Sequence, residues 1–320
     1  MTSGKLLNSE ILQFLMQYNE LMKTLPRDIP LAEARMMYEN FAMNHAGVPL
    51  KMARIDDLNI LNQEKNYWIP VRIYRPKPDT MLPGLLYFHG GGWQKGSLNT
   101  HDSICRNLAL RGCCTVISVQ WRLAPEHRFP AGLKDCHDVY HWLLHHAPLY
   151  NIDAQRIAIG GDSAGGNLAA ALALCLKEQG TPQPVCQLLL YPSLDLTCGA
   201  SSYQTYGEDY FLTTEKIHDY IKYYINQASD IENPLVSPLK ANDLSGLASA
   251  LIITAGFDPL RDEGEAYAGK LRQCHVPVIH KCYESMIHAF LHMTETVSEV
   301  RIIFNDIAKM LQQGFDRNIG

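Results

Sequence analysis

From about residue 69 onward, short uninterrupted apolar runs alternate with longer stretches of helical periodicity. Runs such as LLYF, TVISV, LLLY and ALIITA lack polar alternation, as expected of strands whose sheet is covered by helices on both faces. Strands are predicted over 71–74, 84–89, 115–121, 156–160, 187–191, 250–255 and 276–283. Helices are predicted over about 101–111, 133–146, 164–178, 261–273 and 294–313. This order implies βαβ units and a mostly parallel sheet.

Two segments break the alternation. Residues 1–45 read as two amphipathic helices, with Ile11, Phe14, Leu15 and Tyr18 at helical spacing in the first. Residues 197–236 form an insertion too long for a plain connection. Both are expected to pack together as a helical cap over the C-terminal edge of the sheet. The expected organisation is N-terminal cap helices over 1–45 and a catalytic domain over 46–320, interrupted by the insertion at about 197–236.

Composition narrows the function classes. The chain of 320 residues is 47% hydrophobic and 19% charged, which suits a globular protein with a large core. Net charge −5, pI near 6.2 and no Lys/Arg cluster argue against nucleic-acid binding. No run of about 18 apolar residues predicts a transmembrane helix. Glu10 interrupts the N-terminus before a secretory apolar region can form. The nine cysteines contain no C-x-x-C pair and sit mostly in apolar segments, so reduced structural thiols in a cytoplasmic protein are expected.

The chemistry starts at Ser163. The strand 156–160 runs through Gly161-Asp162-Ser163-Ala164-Gly165 into a helix-forming alanine-leucine run. A G-x-S-x-G between strand and helix is a nucleophile elbow, in which the glycines permit the tight turn that lifts the hydroxyl above the sheet. A second motif, Gly90-Gly91-Gly92, follows the apolar strand ending at His89. Such a loop leaves its N–H groups free to bind the oxyanion of an acyl transfer, with the Ala164 N–H as a further donor. A dinucleotide-binding reading fails on spacing, and the strand VISVQW ends without the ribose-binding acid. Trp93, directly after the glycines, is the expected substrate contact.

An elbow serine is followed in the chain by an acid and then a histidine. Asp258 follows the strand 250–255, and His288 follows the last strand. His288 is the expected general base and Asp258 its orienting acid. The competitors are Asp262 and Glu263, about one helical turn beyond Asp258, and His292 beyond His288. His137, His141 and His145 recur at a spacing found in some metal sites, but their helix flanks the sheet, and a partly exposed helix face is expected.

The motifs 89–93 (HGGGW), 121–127 (WRLAPEH), 161–166 (GDSAGG), 258–262 (DPLRD) and 287–290 (IHAF) together resemble the hormone-sensitive-lipase-like α/β-hydrolases. Within them, LNTHD at 98–102 and HAFLH at 288–292 resemble bacterial acetyl esterases. The resemblance covers about 69–314 and implies an α/β-hydrolase fold with eight strands and a helical cap. It implies a carboxylesterase for short-chain acyl (acetyl-like) esters, without cofactor or metal. It carries over Ser163, Asp258 and His288 as the triad and Gly90–Gly92 with Ala164 as the oxyanion hole, Gly91 and Gly92 being the usual donors. The partner is a small-molecule ester, and a homodimer is compatible with the sequence. Trp121 departs from the usual tyrosine, and Ser285 and Ala289 stand where glycines often flank the histidine loop. Amide deacylation or acyl transfer would use the same groups. A ligand-binding protein on an inactive hydrolase scaffold, as in plant gibberellin receptors, is disfavoured by the presence of His288.

Overall fold

A computed structural model describes residues 6–26 and 28–316. Residues 1–5 and Arg27 of the expected cap segment, and 317–320 of the expected catalytic domain, lie outside the described residues.

Eight strands form one sheet: β1 (Arg54–Leu61), β2 (Trp68–Arg75), β3 (Leu82–Phe88), β4 (Thr115–Val119), β5 (Ile152–Asp162), β6 (Cys186–Leu190), β7 (Ser249–Phe257) and β8 (Val278–Ile287). Their order is β1-β2-β4-β3-β5-β6-β7-β8. The first two pairings, β1 with β2 and β2 with β4, are antiparallel, and the remainder are parallel. The helices are α1 (Ser9–Thr24), α2 (Leu31–Ala46), α3 (Asp102–Gly112), α4 (Ala131–His146), α5 (Ala164–Glu178), α6 (Ser201–Tyr206), α7 (Thr214–Tyr224), α8 (Arg261–Gln273) and α9 (Ser298–Phe315).

The continuous apolar runs have the predicted cause. Leu86, Phe88, Ile157, Ile159, Leu189 and Ile252 join a core with residues of α4, α5 and α8. Their alternates, Leu85, Tyr87, Ala158, Leu188, Leu190, Leu251 and Ile253, join a second core with α1, α3 and α9. Burying each Leu or Ile contributes about 1.5–3 kcal/mol. The helix that follows Ser163, α5, is buried over most of its circumference, and its alanines let it lie close to the sheet.

Several strand bounds differ from the sequence reading, β5 starting at Ile152 and β2 at Trp68, and two differences bear on the sheet edge and the site. β1 had no counterpart among the strands read from the residues: RIDDLNIL is polar and mostly accessible, because an edge strand is covered on one side only. An ion pair between Asp57 and Arg72, at 2.7 Å, helps hold it to β2. β8 runs four residues past the expected end at 283, through a bulge that pairs Phe257 with Ile287. His288 therefore follows the strand directly.

The N-terminal helices and the 197–236 segment meet through aromatic rings. Phe14 of α1, Phe41 of α2 and Phe211 have centroids 5.0–6.0 Å apart. The Asn8 side chain caps α1 by accepting the Glu10 N–H at 2.9 Å. Arg35 of α2 reaches the loops of the sheet, donating to the Gln94 carbonyl at 2.8 Å and the Ala124 carbonyl at 3.2 Å.

Candidate active site

The elbow is held in a conformation that a non-glycine residue adopts only under constraint. Ser163 has φ 54° and ψ −118°. Its N–H donates to Leu190 O at 2.9 Å, while its carbonyl accepts from Asn167 N at 3.0 Å and Ser193 N at 3.2 Å. A side chain at Gly165 would collide with the Phe88 carbonyl, so only glycine lets α5 start this close to β3.

Three side chains converge from the ends of β5, β7 and β8. His288 Nε2 lies 2.9 Å from Ser163 Oγ, and its Nδ1 lies 2.8 Å from Asp258 Oδ2. A carboxylate can only accept, so Nδ1 carries the proton and Nε2 presents a lone pair to the serine hydroxyl. Asp258 is fully buried and its second oxygen accepts the Leu260 N–H at 2.8 Å. The edge of the His288 ring contacts Tyr191, with centroids 5.0 Å apart.

The competing groups are engaged elsewhere. Asp262 accepts from Ser201 Oγ at 2.6 Å and Ser202 N at 2.9 Å, tying α8 to α6. Glu263 accepts from Leu194 N at 2.7 Å and Tyr203 Oη at 2.9 Å. Burial pushes its carboxyl well above the usual range. His292 Nε2 faces Tyr38 Oη at 3.2 Å, and its ring packs edge-on against His101.

The glycine loop requires one correction. Gly90 N donates inward, to Asp162 Oδ1 at 3.0 Å, so it is not available to an oxyanion. Among the described residues, the amides of Gly91, Gly92 and Ala164 engage no acceptor. Gly91 (φ 122°) and Gly92 (φ 60°) both occupy backbone regions that favour glycine. A Cβ on Gly92 would run into the Tyr220 ring of α7. Trp93 is 2% exposed and stacks on Tyr224 of α7, centroids 4.5 Å apart. It thus joins the loop to the 197–236 segment.

The inward partner of Gly90 was not singled out from the sequence. Asp162 is buried and accepts from Tyr87 Oη at 2.7 Å as well as from Gly90. His101 Nε2 stands 3.1 Å from the same carboxylate. Burial opposes its charge, but His101, His292 and Tyr87 together hold the carboxyl well below its usual range. Its place beside the serine in GDS was the available signal, but its partners come from β3 and the start of α3.

His101, Asp162 and His292 offer donor atoms within 4.8 Å of one another, a spacing a cation could use. These atoms are already paired: His101 with Asp162 and Thr100 Oγ1, His292 with Tyr38. The group is explained by its hydrogen bonds, which brace the glycine loop against the turn at Ser163.

Burial, aided by His101, pushes His292 and His89 each down to about 3. In the unfolded chain a histidine titrates near 6.5, so between these values the unfolded state binds more protons. Stability is present above about pH 6.5 and falls as pH drops towards 3, by up to about 1.4 kcal/mol per unit for each ring. His292→Asn is expected to flatten the urea midpoint between pH 6.5 and 4.5. A slope as steep as that of the wild type would place the acid sensitivity elsewhere.

A family profile described as alpha/beta hydrolase fold matches residues 85–292. Carboxylic ester hydrolase LipN of Mycobacterium tuberculosis is 42% identical over 231 residues, 70% of this chain and 61% of that protein. The match thus spans less than two-thirds of that relative. Ethyl acetate hydrolase of Pseudomonas putida is 38% identical over 285 residues, 88% of this chain and 89% of that protein. A hyperthermophilic esterase from Pyrobaculum calidifontis superposes with a TM-score of 0.90 at 34% identity, covering 98% of this chain and 100% of that one. On the extent of these matches, the chain belongs to the α/β-hydrolase fold family, in its hormone-sensitive-lipase-like branch.

Proposed function

We propose that this protein is a carboxylesterase that cleaves short-chain acyl esters through an acyl-serine intermediate. The observation that carries the reading is the aligned contact series from Ser163 Oγ to His288 Nε2 at 2.9 Å and from His288 Nδ1 to Asp258 at 2.8 Å.

Ser163 Oγ attacks the ester carbonyl while His288 Nε2 takes its proton, and Asp258 stabilises the imidazolium. The carbonyl oxygen becomes an oxyanion held by the amides of Gly91, Gly92 and Ala164. Collapse breaks the C–O bond, and the departing alkoxide takes the proton from His288. Water, deprotonated by the same nitrogen, then attacks the acyl-serine and releases the acid. No cofactor enters this sequence.

The short-chain part has separate support. The Tyr220 ring lies against Gly92 and the stacked Trp93–Tyr224 pair braces α7 beside the oxyanion loop, which sets bulky rings close to the proposed oxyanion donors. Trp93, on this reading, shapes the pocket from behind through Tyr224. The helices α1, α2, α6 and α7 form the cap. The name of the Pseudomonas putida relative, an ethyl acetate hydrolase, points the same way.

A series of p-nitrophenyl esters tests the proposal. Each accommodated methylene is worth up to about 1–3 kcal/mol, so kcat/KM should peak at acyl chains of about two to six carbons and fall beyond. A preference for chains longer than about ten carbons would remove the short-chain part and leave the acyl-serine mechanism standing.

A further inference from the structure

Far from the nucleophile, α4 places His137 and His141 one turn apart, and their Nε2 atoms face each other at 3.2 Å. Both side chains are partly exposed. The sequence reading treats them as a helix face, and the exposure agrees. The structure adds a third donor from a different element. Gln179, the residue capping the C-terminus of α5, puts Oε1 2.8 Å from His137 Nε2. Its amide orientation is set by the Nε2 group donating to Cys175 Sγ at 3.4 Å.

We propose that His137, His141 and Gln179 form a binding site for a divalent transition-metal cation of the zinc class, which ties α4 to the end of α5. The spacing calls for only a small adjustment. Two ligands each about 2.05 Å from a tetrahedral zinc stand about 3.3 Å apart, and adjacent octahedral ligands about 2.9 Å apart. The His137–His141 separation of 3.2 Å is close to the tetrahedral value, and Gln179 Oε1, at 2.8 Å from His137 Nε2, reaches it by opening about half an ångström. His137 Nε2 can bear one proton, which serves either Gln179 Oε1 or His141 Nε2 but not both, whereas a cation would serve all three atoms. The remaining positions open to water.

The surroundings support the assignment. Asp138 Oδ1 lies 3.6 Å from the other nitrogen of His137, on the side from which a carboxylate commonly orients a metal-bound imidazole. Asp138 Oδ2 is itself held by the Gln63 N–H at 3.1 Å. The charged and titratable groups near the pair are Asp138 and His145. Two imidazoles and an amide oxygen suit zinc, nickel or copper rather than magnesium or calcium. The site is separate from the chemistry: α5 carries Ser163 at its start and Gln179 at its end. Its effect would fall on stability and not on turnover.

Zinc chloride titrated calorimetrically into chelator-stripped protein at pH 7.5 tests this. The expected result is one site with a dissociation constant tighter than about 100 µM. His141→Ala should weaken binding at least about tenfold, whereas His275→Ala, altering an exposed histidine at the end of α8, should not. Saturating zinc should raise the apparent Tm of the wild type by about 2 °C and leave His141→Ala unchanged. Ester hydrolysis by His141→Ala should match the wild type, which checks that the variant is folded. Unaltered affinity in a folded His141→Ala would overturn the proposal and move the metal elsewhere, the buried His101–Asp162–His292 group included. No binding to wild type up to about 1 mM zinc would overturn it as well.

Discussion

Ser163→Ala is expected to lower kcat for p-nitrophenyl butyrate by about 10⁴–10⁶-fold with little change in KM. The hydroxyl is the only triad atom that bonds to substrate carbon, so its loss removes the covalent route entirely. The amides of Gly91, Gly92 and Ala164 remain in place, because they belong to the backbone. The residual rate should therefore stay above that in water through oxyanion binding alone. The fold should also survive: Ser163 is fixed by its backbone bonds to Leu190, Asn167 and Ser193, none of which uses the side chain. Circular dichroism and Tm close to those of the wild type would separate lost chemistry from lost structure. Alanine also accepts the strained φ of 54° no worse than serine, since both carry a Cβ.

The second large effect separates two aspartates four residues apart. Asp258→Asn should lower kcat by about 10³–10⁴-fold. An asparagine can direct its NH₂ group at His288 Nδ1, which moves the imidazole proton to Nε2 and leaves no lone pair facing Ser163. The Leu260 N–H favours this orientation, because it needs the oxygen as its acceptor. Asp262→Asn keeps the triad intact and should leave kcat within about threefold of the wild type. Its cost appears in stability instead. It weakens the contacts to Ser201, Ser202 and Arg261 and removes a negative charge from the first turn of α8. A loss of about 1 kcal/mol is expected, read as a lower Tm. Equal kinetic losses in the two variants would contradict the assignment of the acid.

Much of this site could be read in the chain because its chemistry is local to the ends of strands. The runs before Ser163 and Asp258 are apolar since both sheet faces are covered, while His288 directly follows β8, a more polar edge strand that still ends in the buried Met286 and Ile287. What escaped the reading depends on contacts between distant segments. β1 is polar because it lies at the edge, so its pattern resembles a loop. The bracing of Gly90 by Asp162, with His101 and Tyr87, joins the ends of β3 and β5 to the start of α3. Three consecutive glycines look equivalent in sequence, and only the inward hydrogen bond distinguishes the first. The final turn of β8, ESMI, reads as a loop because it carries polar residues, yet a bulge keeps it paired with β7. Gln179 is separated from His137 by 42 residues, and nothing in the spacing of the histidines indicates that it faces them.

The central claim is that Ser163 becomes covalently acylated. Intact-mass spectrometry after brief reaction with a p-nitrophenyl alkylphosphonate tests it most directly, because the phosphonyl group mimics the tetrahedral intermediate and does not leave. The wild type should gain one phosphonyl group, mapped by peptide fragmentation to Ser163, as hydrolysis is lost in parallel, and Ser163→Ala should stay unlabelled. A wild-type adduct on any other residue accompanied by loss of activity, or equal labelling of Ser163→Ala, would contradict the account.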